Sequence, residues 1–544
     1  MSRGAAQLRA REIAGVLVIA LLLALYRYGP GILDVGNTGW LLAGGDPAIH
    51  QLGWVVFRDE PWSWPLGVMR NYAAPVGTSL GYTDSLPLLA LPAKLLTSWL
   101  PRPFQYFGAW AFANQLLQAL FGYLLMTRTR AGPGQRILGA CFFALCPPFL
   151  ARAGHIALSS HWLLLASLYT YASGLERGAR AYLGQWLLWV AISGWVHPYL
   201  ATMVAGIALA SLAREAWITA HLPRAPACAF AAGLLGLLLA EWWATGLFHF
   251  EGMSYGGQGF GYYSMNLLAF VDGMGTARLG PELPLLSEGQ REGYAYLGLG
   301  GLALLVAAAA NGLRLRSLRG TLRRHLPLLL VCGAFTALAI STRISFADRE
   351  LSAWWIQHPL ADSVLGAFRA SGRFVWPAYY VLVFACLRLV LAGPWARHAT
   401  ALLAGVLLLQ LADVEVPRAV FGERRYATRL LDTRWDRALA TRARVVTVPS
   451  YQRSLDHGDD YRYFVELAAR HGAAISAGPT ARQPEAALKQ EKRRIREQLQ
   501  RGELDANALY VFSAELFERH REAVEARATC ESWDGYRVCL AEGD

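Results

Sequence analysis

The feature that most constrains the fold of this chain is a series of apolar segments joined by short connections, several of which are rich in arginine. Of its 544 residues, 54% are hydrophobic and only 17% are charged, which is an apolar, charge-poor composition for a soluble protein. Long apolar segments of this kind are typical of helices that cross a membrane. The sequence therefore predicts an α-helical multi-pass membrane protein.

About eleven segments are predicted to span the membrane: Ile13–Tyr26, Gln105–Met126, Ile137–Leu150, His161–Leu175, Tyr182–Val196, Leu200–Ala213, Ala227–Thr245, Ala295–Ala310, Leu326–Ile340, Val375–Leu391 and Thr400–Ala412. Positively charged connections favour the cytoplasmic side. Because Arg3, Arg9 and Arg11 precede the first segment, the N-terminus is predicted inside and the C-terminus outside. These connections also account for the net charge of +12, so no nucleic-acid partner is needed.

Two domains are predicted from the change in composition near residue 414. Residues 1–413 form the transmembrane domain, with a long first outer loop at 29–104. Residues 414–544 form a small α/β domain outside the cytoplasm, with buried strands at Val445–Pro449 and Ala508–Phe512 and helices at Tyr463–Arg470 and Glu485–Arg501.

Two of the seven cysteines lie in this polar C-terminal region, at Cys530 and Cys539, and an Asp-Gly turn signal lies between them. The spacing predicts a β-hairpin closed by a disulfide if this end is extracytoplasmic. The other five cysteines lie in apolar segments and are interpreted as small hydrophobic residues.

The first outer loop carries the candidate catalytic residues Asp46, His50 and Asp84. Asp46 and His50 are spaced to share one face of a helix, where a carboxylate can act as a general base or hold a metal ion. An alternative stays open for both aspartates, because each also suits the N-terminal cap of a helix. Arg58, Asp59 and Glu60 are interpreted as a solvated turn.

Further candidates for substrate binding lie in the outer loops and turns. Trp54 and Trp64 can stack on sugar rings, although tryptophan is also common at membrane interfaces. Arg369 and Arg373 are four residues apart, so that at the start of a helix both could meet one phosphate, or else lipid headgroups. The remaining candidates are His155, His161, Tyr263, Asn266 and Glu292.

Several stretches resemble one group of membrane enzymes: GDPAIHQLGWVVFRDEPWSWPLG, YTDSLPLLALPAK, YYSMNLLAF, EGYAYLGLG and FRASGRFVWP. The order of a cytoplasmic N-terminus, a long first outer loop with an early acidic residue, and an outer C-terminal domain is similar to the GT-C superfamily of integral-membrane glycosyltransferases. The stretches themselves resemble an uncharacterised bacterial multi-pass family of that superfamily, over about Gly36–Pro377.

This resemblance implies a glycosyltransferase of the bacterial inner membrane that uses a polyprenyl-phosphate-linked sugar at the outer face. The role of the superfamily's first-loop acid, as base or as ligand of a divalent metal such as Mg or Mn, would fall on Asp46. The chain has Asp-Pro-Ala where many members have two adjacent acids. The acceptor, which can be a glycan, a lipid or a protein, is not specified. Two alternatives remain open: a transporter or flippase of a lipid-linked glycan, and a non-catalytic envelope assembly protein.

Overall fold

A computed structural model describes residues 3–250, 253–254, 259–312, 318–354, 365–392, 394–417 and 426–541. The chain divides into two compact units. The first, here called the helical unit, comprises Met1–Gly31, Phe107–Leu239 and Gln258–Val420. The second, here called the mixed unit, comprises Ile32–Tyr106, Ala240–Gly257 and Phe421–Asp544. Arg314 and Arg316, which belong to one of the arginine-rich connections predicted to be cytoplasmic, lie outside the described residues.

Each of the predicted apolar segments coincides with a helix of the structure: Arg3–Tyr28, Phe107–Met126, Pro133–Ala144 with Pro147–Leu150, Trp162–Ser173, Ala179–Val196, Pro198–Ala213, Arg224–Ala244, Gly298–Gly312, Leu326–Ile340, Trp376–Ala392 and Ala399–Asp413. Among the described residues, three helices are long and apolar enough to cross a membrane, at Pro198–Ile218, Arg224–Ala244 and Ser371–Ala392. Two shorter helices are also apolar, at Gly298–Gly312 and Leu326–Ile340. The number of eleven spans and their orientation stay predictions.

Small side chains let the helices of the helical unit pack closely. Ala20, Ala119, Ala140 and Ala144 form one buried cluster with Val16 and Tyr123, and dispersion between such contacts stabilises helix packing where lipid is as apolar as the protein. Some polar side chains inside the unit form hydrogen bonds that link distant helices. Arg27, fully buried, donates to Gln115 Oε1 at 2.7 Å and to the carbonyl oxygen of Leu150 at 2.9 Å.

The end of the last helix of this unit anchors the polypeptide around residues 278–299. The Asp413 carboxylate accepts hydrogen bonds from the backbone amides of Gly280 and Leu299, each at 2.8 Å, and from the hydroxyl of Tyr296 at 2.7 Å. Asp413 is fully buried, and a buried carboxylate is tolerated when several donors satisfy it. The loop that contains Glu292 therefore begins and ends at fixed points.

The mixed unit contains a five-stranded sheet whose strands are β1 (Arg444–Val448), β2 (Ala474–Ile475), β3 (Ala508–Phe512), β4 (Ala528–Trp533) and β5 (Tyr536–Ala541). The order is β4-β5-β3-β1-β2, with β1 parallel to both β2 and β3 and the other pairs antiparallel. Helices Tyr461–Arg470, Glu485–Arg501 and Ala514–Glu525 complete it. The predicted C-terminal α/β domain is confirmed. The β4–β5 hairpin turns at Asp534 and Gly535 and contains a disulfide between Cys530 and Cys539.

The first loop belongs to this same unit. It contains the helices Asp46–Asp59 and Pro87–Leu95, joined by shorter elements. The segment around Tyr72 runs beside β2. There the amide of Ile475 donates to the carbonyl oxygen of Asn71, and the amide of Ala74 donates to the carbonyl oxygen of Ile475. Contacts of this kind make the loop and the sheet one compact body. The predicted boundary near residue 414 stays a prediction.

The solvated turn predicted at residues 58–60 is wrong for two of its three side chains. Arg58 and Glu60 are buried. Arg58 donates to the carbonyl oxygens of Thr97, Leu100 and Pro101, in the segment that follows the helix Pro87–Leu95. Glu60 accepts from the backbone amides of Arg70 and Asn71. Both satisfy backbone groups that the chain itself leaves unpaired.

The remaining elements are short. The helical ones are Pro30–Leu33, Gly39–Leu42, Leu80–Thr83, Arg214–Ile218, Glu288–Gly293, Leu318–Arg324, Ser371–Val375, Pro394–His398 and Arg434–Leu439. The strands are Val68–Met69 paired with Thr78–Ser79, Met253–Ser254 paired with Gln483–Pro484, and Arg343–Phe346 paired with Arg349–Ala353.

We predict that Gly53→Ala destabilises the mixed unit by about 1–3 kcal/mol, the usual cost of overpacking. A Cβ at Gly53 would lie 2.4 Å from the hydroxyl oxygens of Thr83 and Ser85. The apparent melting temperature of the purified protein in detergent measures the effect. Gly184→Ala is the matched control, because a Cβ there meets nothing within 4 Å and the helix gains up to about 1 kcal/mol. Equal melting temperatures for both variants would contradict the prediction.

Candidate functional site

Two arginines of the helical unit converge on one carboxylate. Arg152 Nη1 and Arg373 Nε donate to the same oxygen, Glu292 Oε2, at 2.7 and 2.8 Å. Arg152 Nη2 also donates to the carbonyl oxygens of Arg291 and Glu292 at 3.1 Å. Both guanidinium side chains are 11% exposed. The three side chains come from three separate segments, so they tie those segments together. We call them the Glu292 cluster.

The electrostatics of the cluster favour a charged Glu292. Burial alone would raise the pKa of its carboxyl group, but the charges of Arg152 and Arg373 and the hydrogen bond from Arg373 outweigh burial and hold the pKa well below its usual range. His155 contributes in the same direction. Within the cluster itself, two guanidinium groups share the single carboxylate of Glu292. Such a site suits an anionic ligand.

Aromatic rings hold both guanidinium groups in place. The guanidinium carbon of Arg373 lies 4.9 Å from the ring centroid of Tyr199, and that of Arg152 lies 5.4 Å from the ring of Trp376. The Tyr199 hydroxyl accepts from the backbone amide of Ala370 at 2.9 Å. Cation–π contacts of this geometry are worth about 0.5–2 kcal/mol, and here they also fix the direction of each charged group.

The backbone around the cluster approaches so closely that two positions require glycine. A Cβ on Gly372 would lie 2.6 Å from the Cα of Gly293, and a Cβ on Gly293 would lie 2.7 Å from the Cα of Met265. The Gly372 amide donates to the carbonyl oxygen of Tyr263 at 3.0 Å. Three chain segments thus meet main chain to main chain beside Glu292.

The structure places Arg369 and Arg373 in different surroundings. Arg373 lies inside a 3₁₀ turn, Ser371–Val375, whereas Arg369 precedes that turn, and the α-helix begins only at Trp376. Arg369 lies over the ring of Tyr263, with 5.1 Å from its guanidinium carbon to the ring centroid. The helical i, i+4 spacing that would aim both groups at one phosphate is absent at this position.

Asn266 lies inside the loops. It is buried, its amide nitrogen donates to Ala347 O at 2.8 Å, and its amide oxygen accepts from the backbone amides of Leu268 and Ala347. Gln290 and Ser345 complete the network. These hydrogen bonds hold the strands near residue 345 to the loop before Glu292. In the structure Asn266 therefore stabilises the loops.

The two predicted histidines that follow the helix Pro147–Leu150, His155 and His161, differ in their exposure to solvent. His161 is fully buried, its Nδ1 lies 2.8 Å from the Tyr380 hydroxyl, and its ring lies 4.3 Å from that of Trp376. His155 is partly exposed, and its ring lies 5.6 Å from that of His197. His197 caps the helix Pro198–Ala213, accepting from the amide of Tyr199. His155 is therefore the one of the two that is partly exposed, and it also helps to lower the pKa of Glu292.

In the mixed unit, His50 supports the turn that carries Asp84. His50 is buried, and its Nδ1 lies 3.0 Å from the carbonyl oxygen of Thr83. The Ser85 hydroxyl donates to the carbonyl oxygen of His50 at 2.8 Å, and the Tyr106 hydroxyl donates to the carbonyl oxygen of Ser85. The residues on both sides of Asp84 are therefore held by hydrogen bonds to neighbouring elements.

The backbone at Asp84 is in the left-handed region, with φ of 51°, and at Leu86 φ is 52°. Such values are uncommon for residues other than glycine and persist where the surroundings enforce them. Asp84 does not cap the following helix, since Leu86 occupies the N-cap position of Pro87–Leu95. The helix-cap interpretation of Asp84 is therefore wrong.

Asp46 is the first residue of the helix Asp46–Asp59 and is exposed. The N-cap position belongs to Gly45, and no side chain caps the helix. His50, one turn further, points into the protein toward Thr83, so the expected pair of Asp46 and His50 on one accessible face is not formed. The exposed carboxylates of this helix, Asp46 and Asp59, lie at its opposite ends, and Asp46 does not make a metal site by itself.

The two tryptophans predicted to bind sugar also separate. Trp54 is fully buried and donates from Nε1 to the carbonyl oxygen of Phe104 at 3.1 Å. Its ring contacts are with Phe104 and Tyr106. Trp64 is 68% exposed and stacks on Trp243, with ring centroids 5.9 Å apart. Only Trp64 keeps an accessible face.

Arg152 was not among the predicted site residues, although the sequence carries a signal for it. It lies in a short turn that the charge pattern assigns to the outer side, where arginine is an exception to the preference for the cytoplasm. A cation predicted on the side that the charge preference disfavours indicates a specific partner, and Arg152 has one in Glu292.

We predict that Glu292→Gln destabilises the protein by on the order of 3 kcal/mol, because it leaves two buried guanidinium groups facing each other. Glu288→Gln is the matched control: it lies in the same 3₁₀ segment, is 77% exposed in its pair with Arg291, and should change stability by less than about 1 kcal/mol. Apparent melting temperatures in detergent measure both.

The pH dependence of this difference follows from the depressed pKa of Glu292. The stabilisation is complete above the unfolded-state pKa of about 4.3 and is lost only as the pH falls through the lower folded-state pKa. The gap between wild type and Glu292→Gln should therefore be the same at about pH 7 and pH 5. A gap that closes over that range would contradict the assignment of a charged Glu292.

Among curated proteins, no sequence matches this chain. Similar solved structures include the oligosaccharyltransferase of Archaeoglobus fulgidus tethered with an acceptor peptide containing the NVT sequon (12% identity, TM-score 0.45, covering 86% of this chain and 64% of that one). The same enzyme in complex with Zn and sulfate has 14% identity and a TM-score of 0.38, over 85% of this chain and 62% of that one.

A third structure, archaeal oligosaccharyltransferase AglB from Archaeoglobus fulgidus with an inhibitory peptide and a dolichol-phosphate, has 12% identity and a TM-score of 0.43, over 97% of this chain and 74% of that one. The chain spans less than two thirds of the length of the first two. Residues 17–415 match the model described as Domain of unknown function (DUF6311), and residues 434–541 match the DUF6311 C-terminal domain. The chain therefore belongs to the DUF6311 family.

Proposed function

We propose that this protein is a membrane glycosyltransferase that moves a sugar from a polyprenyl-phosphate donor to a cell-envelope acceptor at the outer face of the bacterial inner membrane. The observation that carries the proposal is the Glu292 cluster, in which aromatic rings orient Arg152 and Arg373 and both guanidinium groups converge on one point, Glu292 Oε2. The resemblance of the sequence to the GT-C superfamily supports the same chemistry.

The reaction we propose is a single displacement. The acceptor hydroxyl oxygen forms a bond to the anomeric carbon, the bond from that carbon to the phosphate oxygen breaks, and the lipid phosphate leaves with the electron pair. A carboxylate takes the proton from the acceptor hydroxyl. Arg152 and Arg373 stabilise the charge that grows on the phosphate, since fixed cations cost no reorganisation during the reaction.

The carboxylates proposed for proton transfer are Asp84 and Asp46. Asp84 is the first choice, because the hydrogen bonds of His50, Ser85 and Tyr106 hold its turn and its backbone is strained. A rigidly held group suits catalysis better than one on an exposed helix end. His50 is then a positioning residue. Trp64 and Tyr263 are the aromatic groups proposed to contact the sugar, since their rings are at least partly exposed.

We include a divalent cation, Mg²⁺ or Mn²⁺, in the proposal as a bound ion and give it no step in the reaction. Asp46 alone does not make such a site. His155 and His197 lie near each other in the helical unit, and imidazole nitrogens suit Mn²⁺ better than Mg²⁺, which prefers oxygen ligands. No step of the proposed reaction is derived through a metal.

We predict that Asp84→Asn lowers turnover by about 10²–10⁴-fold, the usual contribution of a general base, while leaving the melting temperature near that of wild type. The measurement is consumption of a radiolabelled polyprenyl-phosphate sugar pool by purified protein, with Asp46→Asn assayed in parallel. Asp59→Asn is the matched control, because Asp59 is a first-loop carboxylate that pairs with the exposed Arg102, and it should retain turnover within about twofold.

The outcomes separate the rival functions. Turnover lost in Asp46→Asn but kept in Asp84→Asn would move the role of base to Asp46. Equal loss in Asp59→Asn would show that the assay reports folding and would contradict the assignment of a base. An absence of turnover by wild type over a broad donor panel would overturn the transferase and favour the transporter or the assembly protein.

A further inference from the structure

A crevice opens in the mixed unit at the carboxyl ends of two parallel strands. Strands β1 and β3 run side by side, with Val448 opposite Phe512 at their ends. The residues that follow β1, Pro449 and Ser450, line the crevice together with parts of the helices Glu485–Arg501 and Ala514–Glu525. Its volume is about 400 Å³, which is within the size range of small-ligand sites.

The crevice lies where successive connections leave the sheet on opposite faces. Val446 and Val448 of β1 and Tyr510 and Phe512 of β3 pack against the helices that contain Ile495 and Phe517. The helix that follows β1, Tyr461–Arg470, covers the other face, where its Phe464 meets Tyr536 of β5 with 5.0 Å between the ring centroids. Such a switch in direction leaves an open space at the strand ends, and ligands of α/β proteins bind there.

The walls of the crevice are strongly basic. Lys492 and Arg496 come from one helix, and Arg519 and His520 come from the other. Arg519 pairs with Glu515 at 2.7 Å. Among the described residues, Lys492 and Arg496 have no ion pair. No carboxylate is among the residues that line the crevice.

The two helices therefore bring like charges toward each other. Burial and the charges of Arg519 and Arg496 lower the pKa of His520, so positive charge from both walls reaches the same imidazole. Repulsion of this kind destabilises the fold unless an anion lies between the charges. The apolar side chains Ile495, Leu499 and Leu516 line the same space and suit the carbon body of a ligand.

We propose that this crevice binds a small phosphate monoester, such as a sugar phosphate. A phosphate monoester carries a charge of about −1.5 to −2 at neutral pH and three acceptor oxygens, so it balances several cations better than a single carboxylate does. Guanidinium groups bind such oxygens in pairs. The phosphate can come from a soluble ester or from a lipid headgroup. The inference is independent of the transferase assignment, because it rests on other residues and another surface.

The test is equilibrium binding of glucose 1-phosphate to the purified full-length protein in phosphate-free buffer and detergent. The double variant Lys492→Gln with Arg496→Gln should bind at least about tenfold more weakly. The matched control is Lys489→Gln with Arg493→Gln, which removes two exposed cations from the same helix, each three residues earlier, and should bind within about twofold of wild type. Arg519→Gln removes a cation from the opposite wall and should also weaken binding, which keeps the test valid if the double variant does not fold.

Three parallel ligands make the outcome decisive. Glucose and glucuronate should bind more weakly than glucose 1-phosphate, and vesicles that contain phosphatidic acid compare a lipid phosphate with the soluble ester. Binding to either phosphate source, lost in the double variant and kept in the control, supports the site. Equal weakening in the control, equal affinity for glucose, or no phosphate binding at up to about 10 mM overturns it.

Discussion

The ion pairs of Glu292 are the interaction on which the arrangement of the helical unit's loops depends. Arg152, Glu292 and Arg373 are far apart in sequence, and each sits at the end of a helix or in a 3₁₀ turn rather than inside a long helix. Backbone contacts at Gly293 and Gly372 bring the same segments together within van der Waals distance. Charge attraction and close backbone packing thus reinforce each other, since neither a larger side chain nor an unpaired guanidinium can be accommodated there.

A second constraint acts in the mixed unit, where hydrogen bonds from His50, Ser85 and Tyr106 enforce an unusual backbone at Asp84. Strain of this kind is retained where the surroundings over-determine the conformation. Asp84 is not a helix cap, because Leu86 occupies that position, whereas Asp46 is the first residue of its helix, as the structural interpretation of Asp46 predicts. This strengthens the chemical interpretation of Asp84 more than that of Asp46, which is merely exposed at a helix end.

Sequence patterns predicted the helices and strands of the C-terminal region well, but they did not predict which side chains are buried. The strands predicted at 445–449 and 508–512 differ from the observed ones by at most one residue, and the helix Glu485–Arg501 agrees at both ends. These elements follow from local periodicity and from the Asp-Gly turn signal. In contrast, Trp54 and Asn266 were predicted to contact substrate and instead are buried. Residue type alone does not say whether an aromatic ring or an amide faces solvent or the interior.

By itself, the sequence determined where the helices and strands lie, because apolar runs, prolines and turn residues act over a few neighbouring positions. It also identified Glu292 as a candidate, since a carboxylate is unusual where an apolar segment begins, and Arg373 as another from its spacing to Arg369. Only the tertiary structure decided that Arg152 joins them, that Arg369 lies over Tyr263 instead, and that His50 supports the turn of Asp84. Such pairings depend on how distant segments pack, and the free energy that selects them comes from burial and charge compensation across the fold rather than from local sequence.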